Sequence, residues 1–148
     1  MSMSKVVIAN DHGAVELAQT LIDHLHQRGF ETNYLGVATE ESVDYPDMAQ
    51  AAAKEYLGGG YDFGILLCGT GIGISISANK IDGIRCALPQ DSYAASMARS
   101  HNDANFIAFG GRVDYREDPV AMLGAYIDAS FEGGRHQRRV DKIMALQD

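Results

Sequence analysis

Residues 62–73 read D-F-G-I-L-L-C-G-T-G-I-G, in which an apolar run after Asp62 passes through Cys68 into a turn of alternating glycines. The run at 62–67 is short and shows no polar alternation, so it reads as a central strand covered on both faces. The glycine turn then opens a helix expected over 72–79. A buried strand feeding a helix is half of a β-α-β unit, and the rest of the chain repeats that pattern. Residues 5–10 (K-V-V-I-A-N) are a β-branched run. After them, Val15, Ala18, Leu21, Ile22 and Leu25 keep helical spacing over 14–28 until Gly29. A weaker strand is expected at 31–35, and Tyr45-Pro46 introduces an Ala-rich helix that the glycines at 58–60 stop. Strands at 84–88 and 105–109 alternate with helices at 92–100 and 117–129. Residues 135–146 form an extra C-terminal helix outside the alternation. The expected architecture is a single domain over 1–148: a Rossmann-like α/β fold whose five-stranded parallel sheet carries helices on both faces, joined by right-handed crossovers.

Composition limits what such a domain can do. With 148 residues, 46% of them hydrophobic, the chain can bury one sizeable core but not two. A net charge of −8 argues against binding nucleic acid through bulk positive charge, so any anionic ligand must be held by a local cluster of Arg and His. Cys68 and Cys86, with no basic-then-apolar leader before them, read as reduced cytoplasmic thiols. No apolar run approaches the roughly 20 residues needed to span a bilayer, so no membrane partner is expected.

In open α/β sheets ligands sit beyond the carboxyl ends of the strands. Two turns there carry chemistry: Asp11-His12-Gly13 after the first strand, and Cys68-Gly69-Thr70-Gly71-Ile72-Gly73 after the third. In the second, glycine amides at a helix N-terminus suit an anion or a developing oxyanion. The same helix terminus favours the thiolate of Cys68, making it a candidate base or nucleophile. The plain alternatives are a tight connection that needs glycine for steric reasons and a small buried cysteine, the reading that fits Cys86 best. Two sharper alternatives fail. The spacing is G-x-G-x-G with no acid closing the next strand, unlike a dinucleotide fingerprint, and the sixth residue after Cys68 is Ile74 where a cysteine phosphatase loop needs Arg.

Three further candidates lie elsewhere. His101-Asn102 precedes the fifth strand, at the opposite end of the sheet from Asp11 and Cys68, so a catalytic His101 would have to come from a second subunit. Arg135 and Arg139, spaced i and i+4, share one face of the last helix and suit a phosphate monoester, unless they are simply a solvated helix end. Arg112 follows the fifth strand in Gly110-Gly111-Arg112-Val113.

Taken together, Asp11-His12-Gly13, Asp44-Tyr45-Pro46, residues 65–75, Ala78-Asn79-Lys80, His101-Asn102-Asp103, residues 109–113 and residues 132–136 resemble the B-type ribose-5-phosphate isomerases over 5–140. Galactose-6-phosphate and allose-6-phosphate isomerases are relatives in that family. The resemblance implies an aldose-ketose isomerase that uses no cofactor or metal and acts on a phosphorylated sugar. It also implies a homodimer, often paired into a tetramer, with active sites shared across the interface. In one branch of the family a cysteine moves the proton between C1 and C2; in the other a Glu further along the loop does so. This chain has Cys68, and Ile74 where that Glu falls, so it resembles the cysteine branch. By the same resemblance, Thr70 and the amides of Gly69, Gly71 and Gly73 stabilise the enediolate, His101 and Asp11 open the ring with Asn102 beside the substrate, and His12, Arg112, Arg135 and Arg139 hold the phosphate. The complete set in one chain favours the ribose type. Asn10 departs from the small residue or cysteine usual before Asp-His. The competing readings are an isomerase of a tetrose or hexose phosphate, a non-catalytic phosphometabolite sensor, and a purely structural oligomer-forming domain.

Overall fold

The computed structural model describes residues 4–147; of the domain expected over 1–148, residues 1–3 and 148 lie outside the described residues. The chain runs through β1 (Lys5–Asn10), a 3₁₀ turn (His12–Ala14), α1 (Val15–Gln27), β2 (Glu31–Tyr34), α2 (Tyr45–Leu57), β3 (Phe63–Cys68), α3 (Ile72–Asn79), β4 (Cys86–Ala87), α4 (Ser92–Ser100), β5 (Phe106–Gly110), α5 (Pro119–Asp128) and α6 (Arg135–Ala145). All five strands are parallel, in the order β2-β1-β3-β5-β4. The expected α/β sheet is present.

Alternation along the strands builds two cores. Val6, Ile8, Ile65, Leu67, Ile107 and Phe109 point to the side covered by α1, α4 and α5, where they meet Leu21, Leu25, Ala95, Leu123 and Tyr126. Val7, Ala9, Leu66, Cys68, Phe106 and Ala108 point to the other side, against Ala49, Ala52 and Ala53 of α2 and Ile74 and Ala78 of α3. The alanines let α2 lie close to the sheet. β3 is buried at every position, as its unbroken apolar run implies.

Element ends differ from the sequence reading for local reasons. β4 shrinks to two residues at the sheet edge, because the backbone N–H of Arg85 donates to the Asn105 side chain (2.8 Å) instead of to a strand. α5 starts at Pro119, after Asp118 has capped it, since the residue before a proline avoids helical geometry. β3 extends through Cys68, which makes the cysteine the last strand residue rather than the first of the turn. α6 buries only His136 and Val140.

Gly64 shows how tightly neighbouring strands pack, because its in-register partner on β5 is Phe106. A Cβ built there would overlap the ring of Phe106, which is fully buried. We expect Gly64→Ala to destabilise the fold by about 1–3 kcal/mol through overpacking, measured as a lower denaturant midpoint at an unchanged slope.

Candidate active site

β1 and β3 are neighbours, yet the chain leaves β1 toward one edge of the sheet and reaches β3 on the other side of it. Such a switch of direction opens a crevice beyond the strand ends. Asp11 and Cys68 stand at its two lips. Asp11 is buried, its backbone N–H donates to Leu67 O (3.0 Å), and its Oδ1 accepts the Gly13 N–H (2.8 Å), which caps the 3₁₀ turn. The two turns then touch backbone to backbone: a Cβ on Gly13 would lie 2.9 Å from Gly69 N.

Cys68 is 4% exposed, and its Sγ accepts the Gly71 N–H at 3.1 Å, a donor placed where a thiolate's charge would sit. Gly71 holds φ +79°, and a Cβ there would meet Leu88 and the backbone of Phe109, so this position requires glycine. Thr70 Oγ1 accepts the Ile72 N–H (3.1 Å) and turns the loop into α3. The Tyr45 ring covers Gly73, 2.5 Å from where a Cβ would stand.

β5 supplies the third lip. Cys68 pairs in register with Gly110, Gly111 N–H donates to Cys68 O (2.8 Å), and Arg112 N–H donates to Gly69 O (2.9 Å). The Arg112 guanidinium therefore lies over Gly69 within the same chain. Behind it, Tyr115 Oη accepts the Gly110 N–H (2.9 Å); burial raises the pKa of this phenol, and the neighbouring Cys68 raises it further. His12 Nδ1 accepts the Val43 N–H (3.2 Å), an arrangement that puts the ring proton on Nε2 and leaves Nε2–H free to donate. Asp11, His12, Cys68, Gly69, Thr70, Gly71, Gly73 and Arg112 thus share one edge of the sheet.

The remaining predicted residues do not join them. His101 caps the end of α4, and Asn102 follows it in the turn that leads to β5, at the end of the sheet where β5 begins. The four steps of β5 separate that end from Gly110 by about 13 Å. Arg135 and Arg139 lie on α6. His101 stacks on His136, with ring centroids 4.0 Å apart and planes 11° from parallel, and the Glu132 carboxylate reaches both rings, 3.7 Å from His101 Nε2 and 3.5 Å from His136 Nε2. Burial holds His136 below the ordinary imidazole range, and the charges of His101, Arg135 and Arg139 add to this against the opposing pull of Glu132. Cys86 is half-buried on β4, and burial pushes its thiol up, which keeps it protonated and inert.

The sequence reading missed Tyr45, Tyr115, Glu132 and His136 as neighbours of these groups. Tyr45 was legible as the start of a helix and, in Asp44-Tyr45-Pro46, as part of the family resemblance, but not as a cover over Gly73; Tyr115 sits in a loop without a pattern. Glu132 and His136 lie in the 132–136 run that carried the resemblance, but no local pattern indicates that they pack against His101. Among the described residues no helix is long and apolar enough to cross a membrane.

The family model described as ribose/galactose isomerase matches residues 6–143. Over 145 residues the chain is 43% identical to the ribose-5-phosphate isomerase B of Escherichia coli K12, covering 98% of this chain and 97% of that protein. It is 44% identical over 142 residues to the D-erythrulose-4-phosphate isomerase of Pectobacterium atrosepticum, covering 95% and 93%. The solved structure of Clostridium thermocellum ribose-5-phosphate isomerase B superposes with a TM-score of 0.93 at 44% identity over 97% of each chain. With the sheet, its strand-end loops and nearly the whole length held in common, this chain belongs to the ribose/galactose isomerase family and is a sugar isomerase.

Proposed function

We propose that the protein interconverts ribose 5-phosphate and ribulose 5-phosphate, with Cys68 as the base. One observation carries the reading: the Cys68 sulfur ends a buried strand beneath an amide donor, beside a glycine loop overlain by Arg112. In the aldose-to-ketose direction the thiolate takes the C2 proton. The electron pair passes to an enediolate whose charge falls on O1, within reach of the loop amides and Thr70. The O2 proton moves to O1, and Cys68 returns its proton to C1, so the step is neutral overall and needs no redox partner. Asp11 and His101 open the furanose, with Asn102 beside it. His12, through Nε2–H, and Arg112, Arg135 and Arg139 hold the phosphate, which positions the reacting carbons from a distance.

The separation of these groups supports a homodimer or tetramer. One chain holds Cys68 and Arg112 at one end of β5 and His101 near the other, so a second copy would complete each site. A working thiolate also favours a reducing compartment, the cytoplasm. A tetrose 4-phosphate is the second substrate reading, because the Pectobacterium atrosepticum relative at 44% identity is named for D-erythrulose 4-phosphate. A panel of tetrose, pentose and hexose phosphates assayed for aldose-ketose conversion decides between them; the highest kcat/KM on the tetrose would replace ribose 5-phosphate.

Cys68→Ala should lower kcat far more than tenfold while leaving substrate binding largely intact. A variant that keeps more than about a tenth of the wild-type kcat, under ~1.4 kcal/mol in barrier terms, moves the base elsewhere.

Asp11 has a structural and a proposed chemical role, and two substitutions separate them. Asp11→Asn retains an oxygen to accept the Gly13 N–H and should change stability little, whereas Asp11→Ala should cost about 1 kcal/mol in chemical denaturation. Both should slow turnover on the closed-ring sugar. Full activity in Asp11→Asn would leave Asp11 as a cap alone.

Mixing Cys68→Ala with His101→Ala subunits tests the shared site. Each heterodimer then has one site with both defects and one with neither, so activity should return toward half the wild-type value per heterodimer. Demonstrated heterodimers that stay as inactive as their parents place His101 and Cys68 in one subunit's site.

A further inference from the structure

We infer that His101, Glu132 and His136 form a binding site for a divalent transition ion of the zinc class. Three donors converge there from separate segments: an imidazole nitrogen of His101 at the end of α4, a carboxylate oxygen of Glu132 in the loop before α6, and an imidazole nitrogen of His136 in the first turn of α6, all within 4.8 Å of one another. Two imidazoles and one carboxylate suit zinc, cobalt(II) or nickel(II) rather than magnesium or calcium, which prefer all-oxygen shells.

The backbone builds this arrangement. Glu132 N–H donates to Ser100 O (2.9 Å), which ties its loop to the last turn of α4 directly beside His101. Gly133 and Gly134, at φ +68° and +56°, then turn the chain sharply into α6 and bring His136 back over Glu132. The carboxylate-to-imidazole separations of 3.5 and 3.7 Å are too long for hydrogen bonds. They lie close to the roughly 3.4 Å between ligand atoms around a tetrahedral ion with bonds near 2.05 Å. The two rings are almost parallel, so their nitrogens converge only after one ring tilts. His136 is buried, whereas the His101 side chain is 37% exposed and has room to do so. The Glu132 carboxylate offsets one of the ion's two charges, and the fourth position is left for water.

Binding would occupy the His101 nitrogen. On the proposed role of His101 in ring opening, the ion would then act as a reversible inhibitor. That second half rests on the functional reading above; the binding site does not.

The test is titration of the whole protein with cobalt(II) in chelator-free buffer, followed by visible ligand-field absorption, with equilibrium dialysis against zinc for stoichiometry. Wild type should bind one ion per chain. Glu132→Gln, an isosteric change at an exposed side chain, and His101→Asn should each weaken binding by at least about tenfold. Cys68→Ala should bind as wild type does, which removes the thiol as a rival ligand. Unchanged affinity in both Glu132→Gln and His101→Asn, or loss of the ion in Cys68→Ala, overturns the site. If the ion binds at this cluster but wild-type turnover is unaffected by zinc and by its removal with a chelator, the site stands and the proposed role of His101 fails.

Discussion

The ladder between β3 and β5 sets Cys68 opposite Gly110, and the site's arrangement follows from that register. Because the pairing ends there, the next two amides of the β5 chain, those of Gly111 and Arg112, bond to the carbonyls of Cys68 and Gly69. The glycine loop is thereby fastened on one side to β5. On the other, the β1 ladder continues through Asp11 N–H to Leu67 O. Three loops from distant parts of the sequence are held as one rigid edge by backbone hydrogen bonds, so the side chains above it need little further support.

Glycine makes that edge possible by allowing close approach. The Asp11–Gly13 turn meets Gly69 at a distance no Cβ would permit, and a side chain on Gly111 would run into Gly13 and Ala14. The result is an edge built from closely packed peptide groups, with the Gly71 amide donating to the Cys68 sulfur. Such donors are fixed before a ligand arrives and need no reorganisation as charge develops.

Charge is distributed with the same economy. The chain carries a net −8, yet Arg112 lies over the loop, and Arg135 and Arg139 are set on a helix that buries only two of its residues in its own subunit. On the proposed function, a phosphate would be held by these few placed guanidinium groups and not by the overall field, which repels anions. At the far end of the sheet, His101, Glu132 and His136 form a second polar cluster whose members are brought together by one backbone hydrogen bond and two left-handed glycines.

Much of this was legible in the sequence. The apolar run that follows Asp62 pointed to a buried central strand, helical spacing after 5–10 to the first crossover, and strand-end position alone separated Cys68 and Asp11 from His101. These are local signals, set by side-chain periodicity and by where glycine must stand. What the sequence could not carry was the order of the strands: nothing in 84–110 says that β5 lies inside β4 beside β3. Only that order puts Arg112 over Gly69 and Tyr115 behind Cys68, and only the turn at Gly133 and Gly134 stacks His136 on His101. Periodicity decides which face of an element is buried. Which elements become neighbours depends on crossover geometry and on how the whole set of apolar faces packs, a property that no single stretch of the chain contains.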